Sequence, residues 1–252
     1  MPSRTGPESG ETVQLDVAGY PPDDPATLSP HLLTDAPHAA LAGAWLAALL
    51  DGDRHRASRM ILDAVSSGAQ VAAIYQHVFQ PALYEIGRLW QMNAISVAQE
   101  HYSTAATQLV MSQLYPQICA SEKGAGTLVA TCVAGDLHEI GLRMVADVFE
   151  MDGWHTYYLG ANMPPHDVVG VVVQRRADVL AISATMAPDL RHVRELIRQV
   201  RAHPVCHDVF ILVGGHPFHA TPDLWRAVGA DGSAPTAQQA TVLARRLRAD
   251  GR

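Results

Sequence analysis

The stretch TLVATCVAGDLHEIG, residues 127–141, decides the fold. From Thr127 to Val133 the side chains are apolar, small or β-branched, a run of strand length rather than helix length. Ala134-Gly135-Asp136 then supplies turn chemistry. From residue 139 to residue 151 apolar side chains recur at intervals of three and four, the period of a helix. A buried strand that passes through a short glycine turn into a helix is the opening of a β-loop-α unit.

The same alternation continues toward the C-terminus. Short β-rich runs stand at residues 155–159, 179–183 and 209–213. Helical patterns lie between and after them at residues 166–176, 190–203 and 222–228, with a last one at 236–249. Strands alternating with helices call for a parallel sheet covered on both faces. Five such units over residues 126–252 fit a flavodoxin-like, doubly wound, five-stranded sheet. In that fold ligands sit beyond the carboxyl ends of the strands, at the switch point.

Upstream the pattern is helical from residue 37 to residue 121, in stretches at 39–50, 56–66, 71–91 and 95–120. Breaks fall at Asp51-Gly52-Asp53, Ser67-Gly68 and Asn93. Connections this short predict an antiparallel four-helix bundle. Pro81 predicts a kink or a restart in the third helix. Glu122-Lys123-Gly124-Ala125-Gly126 reads as a linker. Residues 1–36 begin with a stretch rich in Pro, Gly, Ser and acids and read as a flexible N-terminal tail, with a short ordered piece around residues 13–17.

Composition removes several function classes. The 252 residues are 48% hydrophobic and 17% charged, with 18 basic against 25 acidic side chains and a net charge of −7. No basic domain or stripe marks direct nucleic-acid binding. No apolar run approaches the ~18 residues of a membrane span, and no leader pattern is recognisable, so a soluble, cytoplasmic protein is expected. Cys119, Cys132 and Cys206 are scattered and form neither a disulfide framework nor a zinc cluster.

The residues that carry chemistry lie where the first strand ends. His138 falls just beyond the strand, Asp136 two residues before it, and Gly141 at the start of the helix. A metal-binding imidazole commonly donates its other N–H to a carboxylate, which sets its tautomer, and Asp136 is placed for that. One histidine with one acid cannot hold bare zinc, which needs three or four ligands. It can supply the single axial ligand of a metal held by a macrocycle.

Asp136-x-His138-x-x-Gly141 resembles the cobalamin-binding domain shared by methionine synthase, corrinoid methyltransferase subunits and B12-dependent photoreceptors. Ser183-Ala184-Thr185-Met186, Gly214-Gly215 and Gly229-Ala230-Asp231-Gly232 continue that pattern in order. The resemblance implies cobalamin as cofactor, His138 as axial ligand to its cobalt in place of the nucleotide base, and a tail that descends past Ser183, Thr185, Gly214 and Gly215. The other histidines, His216 after the glycine pair among them, read as surface or packing residues.

Within the helical half, Trp90 is followed after nine residues by Glu100-His101. This is similar to the CarH-type adenosylcobalamin-dependent photoreceptors, whose bundle caps the upper face of the corrin. The resemblance implies adenosylcobalamin, Trp90 against the adenosyl group, and Glu100 and His101 lining the upper pocket. It departs from the family in two ways. Residues 1–36 are too short and too acidic for the DNA-binding helix-turn-helix domain, so none is expected, and Gln91 stands where the founding members have a cobalt-ligating histidine. The expectation is a light sensor, not an enzyme, that signals through a protein partner or self-association as a homodimer. A bound bilin such as biliverdin is a further expectation, held non-covalently and lined by Tyr75, His77, Tyr84 or Tyr102. The alternative is a corrinoid carrier subunit of a methyltransferase system. A mutase subunit would need a catalytic barrel.

Overall fold

The apolar runs of the C-terminal half pair into one sheet. A computed structural model describes Leu32, residues 36–221 and residues 223–250. The expected tail, apart from Leu32 and Ala36, lies outside the described residues. Strands β1 (Gly126–Cys132), β2 (Trp154–Gly160), β3 (Val179–Ser183), β4 (Phe210–Gly214) and β5 (Gly232–Ser233) are all parallel, in the order β2-β1-β3-β4-β5. β3 is buried along its whole length and β1 from Leu128 onward, as central strands covered on both faces require. The chain leaves β1 outward to β2 and returns to β3, so the switch point lies between the ends of β1 and β3. Register places Cys132 opposite Ser183, and Ser183 opposite Gly214.

The helical half runs α1 (Ala39–Leu50), α2 (Arg54–Ser66), α3 (Val71–Ile74), α4 (Gln80–Gln91), α5 (Val97–Gln113) and α6 (Tyr115–Ile118). The Asp53 carboxylate accepts the Arg56 N–H at 2.9 Å and starts α2 two residues earlier than the apolar pattern predicts. Ser96 and Gln99 form a capping box at the head of α5. Between α3 and α4, Tyr75–Phe79 is a π-helical turn in which the Gln80 N–H reaches the Tyr75 carbonyl. Pro81 follows at once; the widened turn absorbs the bond that proline cannot donate, so the helix widens there instead of stopping. The helix expected over residues 95–120 ends at Gln113 because Pro116, in the first turn of α6, likewise has no N–H.

Helix α7 (Ile140–Met151) belongs to both halves. Ile140, Met144 and Val148 join the bundle core, beside Trp45 and Phe79, whose rings lie 4.8 Å apart. Leu142, Ala146 and Phe149 face the sheet. Helix α12 (Ala237–Ala249) packs beside α7. The opposite face of the sheet carries α8 (Pro165–Arg175) and α9 (Leu190–Ala202), whose Val193, Leu196, Ile197 and Val200 form a buried stripe at helical spacing. The helix expected over 222–228 is α11 (Leu224–Val228), preceded by a short α10 (His216–Ala220) that the pattern did not suggest. No helix of the described residues is long and apolar enough to cross a membrane.

Tyr75 is 2% exposed, and its hydroxyl donates to the Asp147 carboxylate on α7 at 2.8 Å. Burial raises the Asp147 pKa to about 6, against the opposing pull of the Tyr75 bond and Arg143. A carboxyl raised in the folded state contributes its full stability below the unfolded value near 4 and loses it as pH rises through 6. By pH 8 that is a cost of about 3 kcal/mol, at ~1.4 kcal/mol per pKa unit. Asp147→Asn keeps an acceptor for Tyr75 and removes the ionisation. Its thermal midpoint should exceed wild type by roughly 5 °C or more at pH 8 and converge with it near pH 4. An Asn variant less stable than wild type at pH 8 would overturn this account.

Candidate functional site at the switch point

The loop after β1 is organised around one carboxylate. Asp136 is 2% exposed. One of its oxygens accepts the His138 backbone N–H at 2.9 Å and pairs with the His138 ring Nδ1 at 2.8 Å. The other accepts the Thr185 backbone N–H, just past β3, at 2.8 Å. Burial alone would raise the Asp136 pKa; the bonds from the His138 side chain and from the two backbone N–H groups outweigh it and hold the carboxyl below its ordinary range. An ionised carboxylate only accepts, so Nδ1 carries a proton, and in the neutral ring Nε2 is the nitrogen with the lone pair. The Asp136 bond raises the His138 pKa against burial, helped by the charges of Asp136, Glu100 and Asp189. The His138 side chain is 61% exposed.

The glycines divide into two kinds. A Cβ on Gly215, whose φ is +103°, would meet the Ala184 carbonyl oxygen at 2.0 Å, so this position is closed to other residues. A Cβ on Gly141 or Gly214 would meet nothing within 4 Å. These two keep space open, Gly141 a few residues after His138 and Gly214 opposite Ser183. Exposed apolar side chains flank the loop on the sheet side, Leu137 beside His138 and Met186 beside Thr185.

On the helical side, Glu100 is close enough for its charge to act on His138. Its carboxylate pairs with His101 Nδ1 at 2.6 Å and accepts the Thr104 hydroxyl at 3.1 Å. Trp90, 45% exposed, stands near the end of α4, next to exposed Gln91. No hydrogen bond among the described residues ties Trp90 or His101 to the His138 loop. Structure thus joins Asp136, His138, Thr185, Ser183, Gly214 and Gly215 at one edge, with Glu100 near enough for its charge to act on His138. Of the side chains expected around a bilin, Tyr75 is buried against Asp147, and the Tyr102 hydroxyl accepts from the Arg54 N–H and donates to the Gly52 carbonyl.

Three neighbours escaped the sequence reading. Asn162, after β2, bonds to the loop at Gly135 and Asp136. Glu139 accepts from bundle residue Gln108 at 3.1 Å and from the Ala161 N–H at 3.1 Å. Asp189 opens α9 and adds its charge near His138. Polar residues in turns carry no periodic signal, which is why pattern reading passes over them.

Among the described residues no group of three His, Cys, Asp or Glu could hold a bare metal ion. The donor set present, one imidazole nitrogen backed by a buried carboxylate over glycine-opened space, fits a metal whose equatorial ligands come from a macrocycle. Comparison with known proteins agrees. Residues 126–242 match a family model described as B12 binding domain, and residues 41–115 match a second model with the same description. A corrinoid protein of Desulfitobacterium hafniense is 25% identical over 79% of this chain and 94% of its own length. Dimethylamine corrinoid protein 1 of Methanosarcina acetivorans is 29% identical over 66% of this chain and 76% of its own. The solved monomethylamine corrinoid protein of Methanosarcina barkeri superposes with a TM-score of 0.72, at 21% identity, over 81% of this chain and 96% of that one, and shares the fold. The chain is thus similar to corrinoid proteins, and two of its stretches, residues 41–115 and 126–242, match B12 binding domain models.

Proposed function

We propose that this chain is the corrinoid-carrying subunit of a methyl-transfer system, with residues 126–252 holding the cofactor and residues 37–121 covering its upper face. The observation that carries the reading is the Asp136–His138 pair at the switch point, made through Nδ1 of a largely exposed ring. Corrinoid proteins named for methylamines among its relatives support the carrier over the sensor. Cobalamin, when bound, supplies the cobalt–carbon chemistry. His138 would hold its cobalt, Asp136 would keep the imidazole in the required tautomer, and Gly141 and Gly214 would leave room. On this reading the chain is no enzyme by itself; a methyltransferase partner performs the transfer at the exposed upper face.

A second reading keeps its place because of Trp90, Glu100 and His101. A half-exposed indole offers a flat apolar surface, and the Glu100 carboxylate on the adjoining helix accepts hydrogen bonds of the kind a ribose donates. Those residues support an adenosylcobalamin light sensor that signals by a changed interface with a partner or a second copy. Of the four neighbours expected for a bilin beside the corrin, Tyr75 and Tyr102 are held by the contacts described above.

Two measurements test these readings. His138→Ala should abolish the base-off, histidine-on absorption spectrum with aquocobalamin, and Asp136→Asn should weaken binding ~10–100-fold. An unchanged spectrum in the alanine variant would refute the axial-ligand assignment. Affinity for methylcobalamin against adenosylcobalamin separates carrier from sensor: comparable affinities support the carrier. A clear preference for the adenosyl form that Trp90→Ala erases, with a spectral change of the complex under green light, supports the sensor.

A further inference from the structure

The loop bearing His138 holds itself through the Asp136 N–H to the Val133 carbonyl at 3.1 Å and through the His138 N–H and ring to the Asp136 carboxylate. Neighbouring strands hold it from both sides. On the β3 side the Thr185 N–H holds the Asp136 carboxylate. On the β2 side a single residue makes both contacts. The Asn162 side-chain oxygen accepts the Gly135 N–H at 2.7 Å, and the Asn162 N–H donates to the Asp136 carbonyl at 3.0 Å.

Asn162 does this from a left-handed backbone conformation, φ +52°, which asparagine adopts more readily than most other residues. Gly135, its partner, also has positive φ, at +88°. Asn162 is itself anchored, because the neighbouring Ala161 N–H bonds to Glu139, the residue after His138. The turns after β1 and β2 thus hold each other, and the β1 loop is clamped from both adjacent strands.

We propose that Asn162 is a positioning residue for the cofactor, setting the height and orientation of His138 through Gly135 and Asp136. This rests on the reading of His138 as axial ligand. Thr185 fixes the carboxylate end of Asp136 and Asn162 fixes its backbone, so that the imidazole is already aimed before any cofactor arrives. Loss of the side-chain bond lets the loop relax on the β2 side while the Asp136–His138 pair itself survives.

Asn162→Gly is the discriminating variant. Glycine tolerates the left-handed backbone and retains the N–H to Asp136, so only the acceptor for Gly135 is lost. Asn162→Asp restores an acceptor at the same place. Titration with aquocobalamin should show about tenfold weaker binding for the glycine variant, the lower end of the effect of outer-shell partners. At saturation its absorption spectrum should contain a smaller histidine-on fraction, while the cofactor-free protein melts within a few degrees of wild type. The aspartate variant should bind within about twofold of wild type. A glycine variant with wild-type affinity and spectrum would overturn the proposal, as would an aspartate variant equally impaired. His138→Ala tests the underlying reading separately: if its spectrum matches wild type, the axial-ligand assignment falls and this role falls with it.

Discussion

A buried carboxylate must have its lone pairs occupied, because an unsatisfied charge inside a protein costs several kcal/mol. Asp136 meets that requirement with three donors drawn from two strands' loops. The His138 backbone N–H folds the turn, the His138 ring sets the tautomer, and the Thr185 N–H locks β1's exit to β3's. One acid therefore determines at once where the crevice opens and which imidazole nitrogen faces it. Replacing it would disturb the loop, the ring and the strand-end pairing together.

The second constraint is that α7 starts immediately after this loop and has two apolar faces. Ile140, Met144 and Val148 lie one helical turn apart on the bundle side, while Leu142, Ala146 and Phe149 cover the sheet. A helix with a single apolar stripe would leave the bundle free to wander on its linker. With two, the bundle takes its position from the same helix that takes its origin from His138. Tyr75–Asp147 and Arg143–Ser112 add polar contacts along that helix. That is how Glu100, far away in the fold of the bundle, comes to act on the His138 imidazole.

Much of this was legible in the residues. Strand runs such as 179–183 are continuous and apolar, so their bounds coincide with β3. Asp136, His138 and Gly141 announce themselves through residue type and spacing. What pattern reading passed over has physical causes. Helix breaks at Pro116 and the π-turn before Pro81 depend on which backbone N–H is absent, a fact visible in composition but not in periodicity. The two-residue β5 is too short to have a period. Asn162 acts through a left-handed backbone and two bonds to a loop distant in sequence, and neither leaves a trace in hydrophobic spacing. Thr185 has a role that spacing does not announce, because its backbone N–H holds the Asp136 carboxylate.

The placement of the bonds between the halves bears on how the upper face is used. Polar contacts from the bundle and linker to the sheet half gather on α7, its flanking residues and α12: Gln108 on Glu139, Ser112 on Arg143, Tyr75 on Asp147, Ser121 on Met151, Lys123 on Glu150 and Ala72 on Gln238. These contacts fasten the bundle along the α7 side of the crevice. Exposed Leu137 and Met186 lie at the sheet edge, and exposed Trp90, Met92 and Val97 cluster around the α4–α5 turn. Apolar area left in water costs about 25 cal/mol per Å2, so a broad, flat, largely apolar ligand that covered these side chains would gain free energy by burying them.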